Sequence, residues 1–309
     1  MTRIAFMPDL VEEAVLLAEP QAPPQEARAF RRERDQIYEL TDPEAREAGF
    51  NALHRRWFIR FDLGRTVEQV VGERADVGAR VSGCRVFRAA SRRDEGADLA
   101  DAARAVDDRR PVILIRLRPA ALLDPESLQA LLRHELMHVS DMLDPAFRYR
   151  RTLPAADLGP SHDNLVRDRY RVLWDVTIDG RLVRAGLADP HIRESRWREF
   201  AATFAMLDNR CLEVFEEWFD RTEPTYSRLI EFAFAPGCSG DGEHATSGRC
   251  PLCRFPVASL DPHPERLSEP ARSAVSAEFP SWSVELGLCS QCLDLYEARC
   301  EDVRRVAGR

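Results

Sequence analysis

The chain has 309 residues, 44% hydrophobic and 31% charged, with a net charge of -8. No stretch approaches the roughly 18 uninterrupted apolar residues of a membrane helix, and acids break the first apolar run, so neither a membrane span nor a secretory leader is expected and the cytoplasm is the expected location. All 44 basic residues are arginine, which excludes a lysine-dependent phosphate loop and Schiff-base chemistry, and the negative balance gives no general attraction to nucleic acid or anionic lipid.

In chain order, residues 1–19 suit a short helix that Pro20, Pro23 and Pro24 would break. A second helix start is marked by Asp42 as N-cap, Pro43 at the first helical position and Glu44 in the first turn. Two β-like runs follow, at 79–89 and 111–119, rich in Val and Ile and bounded by charged or Pro-containing segments. A helix capped by Asp124 and Pro125 comes next, then long helices over 163–185 and 195–221. Near residue 236 Gly, Ser and Cys replace helix formers and mark a boundary. The expected organisation is α+β and mostly helical with a small sheet: an N-terminal helical segment (1–74), a central domain (75–235) and a cysteine-bearing module (236–309).

The capped helix contains "LLRHELMHVSDML", residues 131–143. Residues four apart on a helix differ by about 40° around its axis, so His134 and His138 share a face and can hold one ion. Leu128, Leu132, Leu136, Val139 and Leu143 lie opposite and should anchor the helix in a core. Glu135 sits where a carboxylate can act on a water at the metal without ligating the ion. At this chain's own residue frequencies such an HExxH pattern arises by chance on the order of once in a hundred sequences.

The helix resembles the active-site helix of the zincin metallopeptidases. The gluzincin branch implies a third ligand from a later helix, a carboxylate followed four residues on by an Asp that hydrogen-bonds a metal histidine. "LWDVTIDGRL" has that spacing as Asp175 and Asp179. It departs in having Asp instead of Glu first, and the shorter arm requires a closer helix approach that Gly180 could permit. The segment is also similar to the WNxAxD helix of a group of bacterial metallopeptidases, where Asp179 is the matching acid. Asp175 is the expected ligand and Asp179 its partner beside the metal, with the reverse assignment left open. His162 is a competing ligand, 24 residues after His138, through a looser resemblance to the Spartan-type DNA–protein crosslink proteases.

Cys250 and Cys253, then Cys289 and Cys292, form two CxxC pairs separated by 35 residues. Four thiolates at such spacing read as a closed zinc ribbon, structural because no position is left for substrate. Cys238 and His244 have poorer spacing, and Cys84, Cys211 and Cys300 read as isolated thiols. From Pro236 onward 8 Arg face 11 Asp plus Glu, a net of -3, the wrong sign for a phosphate-binding module, so a protein partner is expected in place of nucleic acid. Arg148, Arg150 and Arg151 with Arg167, Arg169 and Arg171 cluster near the metal motif as a solvated face or an anion clamp.

The resemblance implies a zinc peptidase with one catalytic and one structural zinc: His134, His138 and an Asp hold the first ion, Glu135 serves as general base for an attacking water, and the strand over 111–119 lines the cleft for a protein or peptide substrate. The alternatives are a Spartan-like protease using His162 and a non-catalytic, zinc-stabilised interaction module.

Overall fold

The computed structural model describes residues 2–100, 110–152, 160–236, 248–253, 256–257, 260 and 267–307, with backbone alone at 160–162, 248–249, 256–257, 290 and 300–307. Cys238 and His244 lie outside the described residues, as do the side chains of His162 and Cys300. The chain is mostly helical with a small mixed sheet, an α+β architecture. It divides into two compact units: Met1–Arg150 with Ile178–Arg193 and Arg221–Glu223, and Arg151–Thr177 with Glu194–Asp220 and Pro224–Arg309. Among the described residues no helix is long and apolar enough to cross a membrane.

In the first unit the order is β1 (Ile4–Phe6), α1 (Pro8–Ala18), α2 (Pro24–Tyr38), α3 (Pro43–Arg60), α4 (Arg65–Glu73), α5 (Ala75–Arg80), β2 (Gly83–Arg88), β3 (Gly96–Ala100), β4 (Val112–Leu117) and α6 (Pro125–Leu143). The sheet order is β1-β2-β4-β3. β1 pairs parallel with β2 (Ile4 opposite Cys84), β2 parallel with β4 (Val86 opposite Ile115), and β3 antiparallel with β4 (Gly96 opposite Arg116). Strands covered on both faces read as continuous apolar runs, and Val86, Ile113, Ile115 and Leu117 are fully buried.

The cap at α3 forms as its sequence dictates, with the Asp42 carboxylate accepting from Ala45 N at 2.9 Å. The start of the chain differs from expectation: residues 4–6 are a strand, and the helix begins at Pro8. Three residues pairing with a strand some 80 positions away carry no local pattern, so their state depends on the sheet. Nor does the segment 1–74 stand apart. Leu10, Phe30, Trp57 and Val67 share one core with Ile113, Leu132 and Leu136.

The helix of the HExxH motif is α6. Asp124 caps it by accepting from Ser127 N at 3.2 Å, Pro125 opens it, and Leu128, Leu132, Leu136 and Val139 are buried against the sheet, with Leu143 partly buried at its end.

The second unit contains most of α7 (Pro160–Arg184), then α8 (Ile192–Thr203), α9 (Cys211–Phe219), α10 (Tyr226–Phe234), the short strands β5 (Gly248–Arg249) and β6 (Pro256–Val257), α11 (Glu269–Glu278) and α12 (Ser290–Ala307). The single helix expected over 195–221 is broken between α8 and α9, with Asp208 at φ 47°. In a straight helix Phe200 and Phe215 would lie about 22 Å apart along the axis at 1.5 Å per residue; the break brings their rings to 5.5 Å. Trp197, Phe204, Trp218, Phe219 and Phe232 extend this aromatic cluster.

Candidate metal centres

α6 presents His134 and His138 on one face, their Nε2 atoms 3.2 Å apart. Nδ1 of His134 lies 2.7 Å from Oδ1 of Asp179, whose side chain is fully buried. A carboxylate so placed accepts a hydrogen bond from Nδ1–H, which leaves the Nε2 lone pair of a neutral imidazole available for a cation. α7 is unbroken from Pro160 to Arg184, so Asp175 stands one turn before Asp179 on the same face. One carboxylate oxygen of Asp175 and the ring nitrogens of His134 and His138 all lie within 4.8 Å of one another.

The donor set fits a small divalent ion. Ligand nitrogens about 2.05 Å from a tetrahedral ion lie about 3.3 Å apart, close to the 3.2 Å between the histidines. Two imidazoles and a carboxylate suit zinc and leave a fourth position open. Gly180, which follows Asp179, is buried.

Two forked ion pairs brace this end of α6. Arg181 on α7 grips Asp141 on α6 through two hydrogen bonds of 2.8 and 2.6 Å. Arg133 grips Glu73 on α4 at 2.9 and 3.0 Å and also donates to the Leu187 carbonyl at 3.2 Å. The Glu73 carboxyl is held below its ordinary value, chiefly by the hydrogen bond from Arg133.

Glu135 points to the sheet edge, where its Oε2 accepts from Ala97 N at 2.9 Å. This corrects the strand expected at the cleft: β4, the apolar run at 111–119, is interior to the sheet, and the strand beside Glu135 is β3, which sequence reading missed. "GADLA" has no β-branched residue to mark it. A usable signal was Gly96: its φ is +154°, and a Cβ there would stand 3.1 Å from Glu135 Oε2, so only glycine lets the carboxylate approach this closely.

Of the arginines clustered in sequence, Arg171 reaches Asp175, its NH1 3.4 Å from Oδ2. Arg169 is buried with its guanidinium pushed down to about 10 by desolvation, and Arg167 donates to Asn164 at 2.8 Å. Arg196 and Glu199, which the sequence did not flag, also stand at Asp175: Arg196 NH1 is 3.7 Å from Oδ2 and 2.6 Å from Glu199. Tyr170 is buried against Trp174 and Tyr226.

The four cysteines also converge. The sulfurs of Cys250, Cys253, Cys289 and Cys292 lie within 4.8 Å of one another, and that of Cys253 is 3.8 Å from Cys289. Four sulfurs about 2.3 Å from a central zinc have tetrahedral edges of about 3.8 Å. Hydrogen bonds from Cys253, Cys289 and Cys292 hold the Cys250 thiol far below its ordinary value. Cys289 and Cys292 are pushed up, chiefly by hydrogen bonding to Cys250 and then to Cys253. One thiolate thus makes the others harder to ionise, an opposition a bound cation removes. Around the cluster Leu252, Leu267, Val275, Trp282, Leu288 and Tyr296 form a separate small core. Cys84 and Cys211 are buried single thiols, with Cys84 pushed up to about 12 by desolvation.

No family of known proteins, no curated protein and no solved structure matches this chain.

Proposed function

We propose that the protein is a zinc-dependent peptidase of the zincin kind, with a second, structural zinc in a ribbon held by Cys250, Cys253, Cys289 and Cys292. The observation that carries this reading is the convergence of His134, His138 and Asp175 beside a glutamate that follows the first histidine directly. A purely structural metal site has no need of a carboxylate next to an open ligand position. Bound there, zinc would supply Lewis acidity to the carbonyl and acidify a water.

The protein's own groups do the rest. Asp179 fixes the ring orientation and tautomer of His134 through the 2.7 Å contact. Glu135 is steadied at Oε2 by the Ala97 amide, so its carboxylate can accept a proton from the attacking water and later deliver it to the leaving amine. The cysteine module stabilises its own small core, and its negative balance favours a protein partner or substrate over nucleic acid. Clustered cysteine thiols with metal-ligand spacing fit a reducing compartment, the cytoplasm.

The test pairs zinc analysis with a peptide-library assay. The parent chain should carry two zincs, with one lost in His138→Ala and the other in Cys253→Ala. Glu135→Gln should keep both zincs and lose hydrolysis by 100-fold or more, on the order expected for a general base. Hydrolysis unchanged in Glu135→Gln would refute the mechanism. Absence of zinc from the histidine site would refute the peptidase reading as a whole.

A further inference from the structure

We propose that Arg196, anchored by Glu199, is a positioning residue that fixes Asp175 as a one-oxygen ligand of the histidine metal site. The inference rests on the reading that His134, His138 and Asp175 hold a metal. It assigns a role to an ion-pair network that the peptidase mechanism leaves unused.

Asp175 is 6% exposed. Two arginines approach it at the same atom: Arg171 NH1 is 3.4 Å and Arg196 NH1 is 3.7 Å from Oδ2. Glu199 on α8 closes the ring, with Arg196 NH1 at 2.6 Å and Arg171 NH2 at 3.2 Å. The two arginines differ in kind. Arg171 is one turn from Asp175 on the same helix and its side chain is 58% exposed, whereas Arg196 comes from α8 and its side chain is 20% exposed. A mobile, solvated local pair fixes little. A mostly buried guanidinium fixed at 2.6 Å by a second carboxylate keeps its charge in one place beside Oδ2 and biases Asp175 toward one orientation.

A carboxylate drawn toward arginine through Oδ2 can turn its other oxygen to a cation, which suits the short arm of Asp where gluzincins have Glu. The charges of Asp175, Arg171, Arg196 and Glu199 sum to zero. These four groups therefore orient the ligand without themselves adding net positive charge at a cation site. A bystander role for Arg196 predicts the opposite consequence of its loss, because a cation that merely sits near a metal ligand repels the metal.

The sign of one measurement separates the two roles. Zinc affinity of the histidine site is read by competition with a chromophoric chelator in the full-length chain, the thiolate-held zinc serving as internal reference and as a check that the fold is retained. If Arg196 positions Asp175, Arg196→Gln weakens zinc at the histidine site by about 10-fold or more, the range found when outer partners of metal ligands are removed. Arg196→Lys, which keeps the charge but not the planar fork, weakens it by a smaller factor. With zinc in the thiolate site and Co2+ in the histidine site, the visible absorption of four-coordinate cobalt should also lose intensity in Arg196→Gln as the carboxylate shifts to a two-oxygen grip.

Tighter binding in Arg196→Gln, or unchanged binding in both variants, overturns the positioning role and leaves the metal site standing. Should Arg196→Gln fail to fold, Arg196→Lys decides alone, because the charge-only role predicts no change there. A parent chain whose zinc is insensitive to His138→Ala overturns the metal-site reading itself, a result distinct from either of the others.

Discussion

Replacing Asp179 by Asn isolates what the carboxylate behind His134 contributes. The amide keeps an oxygen near Nδ1 but removes the charge that now sits 2.7 Å from the ring on a fully buried side chain. No bulk water reaches Asp179 to replace the lost interaction, so the effect should appear nearly undiluted. Loss of such an outer partner lowers metal affinity about 10- to 100-fold, equivalent to about 1.4 to 2.7 kcal/mol at 25 °C. The assay is chelator competition at about pH 7.5, above the ordinary histidine range so that ring protonation does not compete with zinc. The cysteine-held zinc should not move, and Asp141→Asn serves as a control for general damage to the α6–α7 packing. Less than a twofold change in Asp179→Asn, with His138→Ala still abolishing binding, would show that Asp179 neither orients His134 nor ligates the metal, and would refute both assignments of that acid.

Other outcomes follow from the same geometry. Gly96→Ala places a Cβ 3.1 Å from Glu135 Oε2 at a φ of +154°; a strain of about 1–3 kcal/mol should lower the thermal midpoint while zinc content stays at the parent value, and an unchanged midpoint would contradict the close approach. Arg181→Ala removes one half of a forked pair whose side chains are 17% and 7% exposed, and should cost about 3 kcal/mol in urea unfolding; the double variant Asp141→Leu/Arg181→Met should recover most of it, and a loss below about 1 kcal/mol would mean the fork is not needed. His54 is 5% exposed beside Phe30 and Phe50, and burial lowers its pKa against a smaller opposing effect of Glu12. The unfolded chain therefore binds a proton near pH 6.5 that the folded chain resists, so stability is full above that pH and falls as the pH drops below it. His54→Leu should reduce the loss in denaturation midpoint between about pH 7.5 and about pH 5.5, and an acid limb identical to the parent's would assign that loss to other groups.

Where local chemistry is self-sufficient, the sequence could be read directly. Asp42 and Asp124 cap their helices because an aspartate before Pro and a helical run accepts from the backbone whatever the rest of the fold does. The metal motif was legible for the same reason: four residues on one helix fix His134 and His138 on a common face, and two CxxC spacings bring paired thiols together. The boundary expected at 75 did not show as an independent N-terminal unit, because the apolar residues of α1, α3 and α4 look alike in sequence whether they pack on one another or on a distant sheet.

The order of residues carries the available chemistry: two imidazoles and a carboxylate on one helix, two acids one turn apart on another, and four thiols in pairs. The tertiary structure alone decided which acid faces which histidine, that β3 and not β4 meets Glu135, and that Arg196 and Glu199 stand behind Asp175. The division has a physical cause. Helix period and capping act over a few residues and leave their mark in the local sequence. The approach of α7 to α6, or of an edge strand to a glutamate, is set by side-chain packing summed over many distant residues, and no short stretch of the chain records it.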